Sequence, residues 1–185
     1  MDRGVAKRLT GKALGQAGQA GAVLFLGLAL LLAITAGALT AAQTTSLELR
    51  MSRNSHDAAL AFRATQAALA EAEAWLAVAS DPTGAPVYAG GTRYGEVVAW
   101  RDGAVWTAHG QTAATPLPGV VEAPRFLIEW VTTYASLPGT LVDVFRITAT
   151  GVGSSRAIVV RLQATHARTR DDGRVRRLSW VELAS

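Results

Sequence analysis

The chain has 185 residues and a mass of 19.3 kDa, enough for one domain of ordinary size and too little for a large multidomain enzyme. Half of its residues are hydrophobic, 17% are charged and the mean hydropathy is +0.22, too apolar for a disordered chain and high for a purely soluble one. The absence of cysteine excludes disulfides, thiolate zinc sites and cysteine nucleophiles, and three histidines (His56, His109, His166) make a histidine-rich metal site hard to build.

The formal charge is +4, but its location argues against a nucleic-acid-binding face. Arg3, Lys7, Arg8 and Lys12 oppose only Asp2 within residues 1–21, while residues 22–185 hold 14 Arg against 13 Asp or Glu. The basicity therefore precedes an uncharged run from Ala13 through Leu47. Its core, residues 22–42, is almost wholly apolar, and as a helix would span roughly 31 Å, about the hydrocarbon thickness of a bilayer. A single segment in lipid must be helical, because every backbone amide has to be satisfied internally. Basic residues before the run and none directly after it place the N-terminus in the cytoplasm and the rest of the chain in the periplasm. Three readings fit the run itself: a cleaved secretory signal, a plain signal anchor, and a prepilin whose membrane helix continues into an outer domain.

The next segment favours continuation. From Thr44 to Ala79 there is neither Pro nor Gly, and Met51, Ala58, Phe62, Thr65, Leu69, Ala72, Leu76 and Ala79 recur at spacings of three, four and seven. This is an apolar stripe at helical period, flanked by polar Arg50, Arg53, Asp57, Arg63, Glu71 and Glu73. Ser80-Asp81-Pro82-Thr83-Gly84 stops it.

Strand signals come next. Residues 96–101 and 104–108 flank Asp102-Gly103, which reads as a two-residue hairpin turn. Further strands are expected at 125–132, 142–150 and 157–165, with turns at 137–140 and 151–155, and a last weak one at 177–183. The expected fold class is α+β: a long N-terminal helix, transmembrane then amphipathic, packed against a C-terminal antiparallel sheet. The expected organisation is a basic leader (1–21), a transmembrane half of the helix (22–42), an amphipathic half (43–80) and a sheet domain (81–185).

The helix also carries a specific pattern: Thr44-Thr45, then Glu48-x-Arg50-Met51-x-x-Asn54, then Ala61-Phe62-x-Ala64-x-x-Ala67-x-Leu69-x-x-Ala72-Glu73. It resembles the PilX-type minor pilins of type IV pilus assembly, which implies that the α+β fold is pilin-like. Residues 124–130 and the run 145–151 leading to 159–165 resemble the same family, while 80–123 carries little of it. The resemblance implies a prepilin trimmed by a prepilin peptidase after a Gly, here Gly21-Ala22, with Gly18-Gln19 the weaker match. It implies incorporation, with other minor pilins and a tip adhesin, into a complex that primes the pilus. One departure is plain: major pilins carry Glu as the fifth residue after cleavage, where this chain has Leu26. A minor pseudopilin of type II secretion and a signal-anchored periplasmic binding module are the rival readings.

Other constellations are weaker. Small residues Gly27, Ala29, Ala33, Ala36, Gly37 and Ala38 suit close helix packing. Residues 166–177 hold five Arg and two Asp, read as a solvated hairpin or tail, because no aromatic residue interleaves to stack bases. The five tryptophans (Trp75, Trp100, Trp106, Trp130, Trp180) read as core or helix–sheet contacts. Glu71 and Glu73, two apart on a helix, face different directions and make no catalytic pair. No catalytic triad, phosphate loop or metal spacing stands out, so neither cofactor nor enzymatic activity is expected.

Overall fold

A computed structural model describes residues 11–89, 99–115, 117–137 and 139–184. The elements are helix α1 (Gly11–Val78), a 3₁₀ turn (Ala99–Arg101), helix α2 (Gly103–His109) and strands β1 (Gln111–Thr112), β2 (Arg125–Leu137), β3 (Thr140–Val152), β4 (Val159–Thr169) and β5 (Val175–Leu183). The chain divides into two units, residues 1–52 and 53–185.

In the first unit the described residues are helical, and every large apolar side chain from Val23 to Met51 is between 55% and 77% exposed. Such surface is unfavourable in water and natural in lipid. The hydroxyls of Thr35, Thr40, Thr44 and Thr45 donate to the carbonyls four residues earlier, at 2.7–3.1 Å. The polar atoms of the apolar run are thereby satisfied within the helix itself.

In the second unit, the remainder of α1 lies on a five-stranded antiparallel sheet of order β1-β2-β3-β4-β5. The helix buries Ala61, Ala64, Thr65, Ala68, Leu69, Ala72 and Leu76. The sheet contributes alternate residues of three central strands: Phe126 and Ile128, Phe145, Ile147 and Ala149, then Val160, Leu162 and Ala164. This alternation is the strand period of two, and it leaves Leu127, Glu129, Arg146, Thr148, Arg161 and Gln163 for the opposite face. The small residues on the helix let backbone approach backbone. A side chain at Gly151 would begin 2.9 Å from the amide nitrogen of Thr65, and one at Gly153 would begin 2.5 Å from the carbonyl oxygen of Asp57. Thr65 Oγ1 donates to its own helix at Ala61 (2.8 Å) and lies 3.2 Å from the Val160 carbonyl, joining helix to strand.

The α+β expectation is met, with strands longer than predicted: β2, β3 and β4 run on to Leu137, Val152 and Thr169. The hairpin expected around Asp102-Gly103 is overturned. Asp102 is a helix N-cap, its carboxylate accepting from the Ala104 amide at 2.8 Å, and residues 104–108 lie in α2 rather than in a strand. Asp-Gly serves a helix start as readily as a turn, and the alanines that come after it favour helix. Residues 96–98 of that predicted strand lie outside the described residues. Sequence reading also missed Tyr88, which bridges to Glu129 along the edge of β2. Of the two readings of the Arg-rich stretch, hairpin or tail, the structure shows the hairpin: His166–Thr169 complete β4, and Val175–Arg177 begin β5.

Candidate functional site

Two features of α1 hold the chemistry on which function can rest: its exposed apolar surface, and the polar ties that hold its outer part to the sheet. On the first, Leu28, Leu31, Leu32, Thr35, Ala36 and Leu39 fall on one side at spacings of three and four and line a shallow apolar groove of about 250 Å³. At Gly27 and Gly37 no atom lies within 4 Å of where a Cβ would stand, so each is a point where another helix can come close.

The second feature is a series of four ties along α1. Asp57, only 8% exposed, accepts from the Ser154 amide, the Ser154 hydroxyl (2.8 Å) and the Ser155 hydroxyl (2.7 Å). The serine hydroxyls hold its carboxyl below the usual carboxylate range. Farther along the helix, Glu71 accepts from the amides of Ala114 (2.8 Å) and Thr115 (3.2 Å), and the Ala114 amide is the main reason its pKa is lowered. Glu73 meets Arg177 in a two-oxygen pair (2.5 and 2.7 Å) and His166 Nε2 at 3.0 Å. His166 is buried, and burial pushes its pKa down against the opposing pull of Glu73. Finally Arg168 donates to the Ala79 carbonyl at 2.8 Å, satisfying an acceptor at the helix C-terminus where a cation is favoured.

The arginines of residues 166–177 are thus largely engaged inside the fold. Arg170 also pairs with Asp143 through two nitrogens at 2.8 Å, beside a Thr133 hydroxyl bond to the same carboxylate. Burial pushes Asp143 up, but Arg170 and Thr133 outweigh it and leave its pKa low.

The residues of the helix pattern divide by position. Ala61, Ala64, Leu69 and Ala72 are buried against the sheet, Ala67 and Phe62 are half-buried, and Phe62 meets the Trp180 ring edge-on at 6.4 Å. Glu73 makes the tie to β4 and β5. Glu48, Arg50, Met51 and Asn54 are exposed, so Met51, expected on the buried stripe, is not part of it. Gly21 and Ala22 lie on the helix, exposed. Glu71 and Glu73 do point to different partners. Sequence reading missed Asp57 as a buried tie; the signal available was an Asp within an otherwise small-residue helical row. Of the tryptophans, Trp75 and Trp130 pack on the core.

Chemically, this arrangement positions a helix and presents its apolar end; among the described residues no cluster of three metal-binding side chains forms. Two family profiles match the chain: PilX N-terminal over residues 20–70, and type IV pilus assembly protein PilX C-term over residues 64–168. No curated protein and no solved structure matches it. The second profile alone covers more than half of the chain. The chain belongs to the PilX family of type IV pilus assembly proteins.

Proposed function

We propose that the protein is a structural subunit of the complex that primes the type IV pilus and remains at its tip, together with other minor pilins and an adhesin. The observation that carries this reading is the exposed apolar surface of α1 from Val23 to Met51, within the span of the PilX N-terminal match. Before assembly that surface is stored in the inner membrane, with the N-terminus cytoplasmic and the sheet domain periplasmic. A prepilin peptidase cuts between Gly21 and Ala22. In the fibre, lipid contacts are exchanged for contacts with neighbouring helices, for which Gly27, Ala29, Ala33, Ala36, Gly37 and Ala38 supply close packing. The outer part of α1, tied through Asp57, Glu71 and Glu73, carries the sheet domain along.

Leu26 occupies the place where a Glu would pair with a neighbour's N-terminus, which suits a terminal position in which one neighbour is missing. Deletion of the gene is expected to abolish or sharply reduce surface pili, and affinity-tagged protein is expected to retain other minor pilins after mild membrane extraction. Normal piliation together with no retained pilin would overturn the proposal. Restoring Glu at Leu26 is expected to alter the subunit's place in the complex; unchanged placement counts against the terminal assignment.

A further inference from the structure

The face of the sheet turned away from α1 carries a cluster that the pilus role does not use. On it, Arg125 of β2, Thr150 of β3 and Arg161 of β4 are direct cross-strand partners. The two arginines therefore lie about 10 Å apart on one face. The 3₁₀ turn and α2 bring two indoles to them. The guanidinium of Arg161 stands 5.6 Å from the centroid of Trp100, that of Arg101 5.0 Å from the same ring, and that of Arg125 5.4 Å from Trp106. Hydrogen bonds lock the cluster together: Trp106 Nε1 donates to the Trp100 carbonyl (2.7 Å), and Arg125 donates to the Trp106 carbonyl (2.7 Å). A side chain at Gly110 would begin 2.5 Å from that carbonyl and 2.8 Å from the Arg125 guanidinium.

Three like charges are gathered here, and among the described residues no carboxylate pairs with any of them. Of the acids beside the cluster among the described residues, Asp102 caps α2 and Glu122 is bound by Arg156. Beside Arg125 is a hollow of about 190 Å³ lined by Thr150, Gly151, Val152, Ala123 and Glu122. Guanidinium groups over indoles can still donate N–H to phosphate oxygens: Arg125 spends one donor on the Trp106 carbonyl and keeps others, as do Arg101 and Arg161. Tyr88 and His109 add a further ring pair, centroids 5.3 Å apart, and all four rings are half-buried. Guanidinium groups without a carboxylate partner, interleaved with aromatic rings, are what a single-stranded nucleic acid requires: charge for its phosphates and ring surface for its bases. The Arg-rich stretch 166–177 lacks that combination; this face has it.

We propose that the outer face of the sheet, through Arg101, Arg125 and Arg161 with Trp100 and Trp106, binds single-stranded nucleic acid. The test uses the full chain in detergent micelles and a fluorescent oligothymidylate of about 20 nucleotides, with anisotropy read across a salt series. Wild type is expected to bind. The double variant R101Q/R161Q is expected to bind at least about tenfold more weakly, with the salt slope reduced by about 1.4 as two phosphate contacts are lost. R63Q, the same charge change on an exposed position of α1, is expected to stay within about twofold of wild type. R161K keeps the charge but not the planar fork; it is expected to lose clearly less affinity than the double variant. The proposal is overturned by absence of binding in wild type, by equal losses in R63Q and the double variant, by a loss in R161K as large as in the double variant, or by equally tight binding of polyglutamate.

Discussion

The two parts of α1 are built from nearly the same residues and face opposite fates. Before residue 53 the large side chains Leu24, Phe25, Leu30 and Ile34 stay more than 60% exposed. After it, the buried row is mostly small: Ala61, Ala64, Ala68 and Ala72, with Leu69 and Leu76 as its large members. The large apolar residues of the first part stay exposed, whereas mostly small ones meet the sheet, where closeness counts. Gly151 and Gly153 complete that logic from the strand side, admitting the backbone of α1 where no Cβ would fit. Hydrophobic content alone therefore does not say which stretch of helix belongs to the domain core; side-chain size and the polar ties do.

The sharpest way to break this comparison is to shave one large residue from each part. Leu76→Ala is expected to lower the stability of the sheet domain by about 2–5 kcal/mol, because Leu76 is fully buried. Leu30→Ala is expected to change it by less than about 0.5 kcal/mol. Thermal unfolding followed by tryptophan fluorescence reads both, and equal effects would end the distinction.

Closeness is tested by adding volume. Gly151→Val places a branched side chain against Thr65 and is expected to cost about 1–3 kcal/mol or more. The same change at Gly37, with open space around it, is expected to leave domain unfolding unchanged.

On the sheet's other face the signs reverse. Glu129 is 1% exposed, neither of its oxygens has a hydrogen-bond partner, and burial raises its pKa against the partial relief of Arg146. A carboxyl whose folded pKa is raised stabilises less as pH climbs from its unfolded value through its folded one. Glu129→Met is therefore expected to raise stability by about 1–3 kcal/mol, more at pH 8 than at pH 4; urea titrations at the two pH values check the sign. The smallest effect is expected from Glu122→Gln, which removes an exposed ion pair with Arg156 and should shift stability by less than about 1 kcal/mol.

Much of this architecture is legible in the residues. The long uncharged run, the absence of Pro and Gly from Thr44 to Ala79 and the alternation at Val142–Thr150 are local patterns, and local patterns fix helix and strand. The features that escaped depend on partners distant in the chain. Asp57 reads as a polar flank until Ser154 and Ser155, some 97 residues later, arrive to bind it. Asp102-Gly103 is ambiguous because a turn and an N-cap want the same residues. Arg125, Arg161 and Trp100 carry no signal singly; only cross-strand register and the placement of the 3₁₀ turn bring them together.

The central claim is that one helix serves first as a membrane anchor and then as a fibre-packing element. Intact-mass and N-terminal analysis of the protein from both inner membranes and sheared pili tests it most directly. A chain beginning at Ala22 and present in the pilus fraction is the predicted result; a chain beginning at Met1 in the membrane and absent from pili would contradict it.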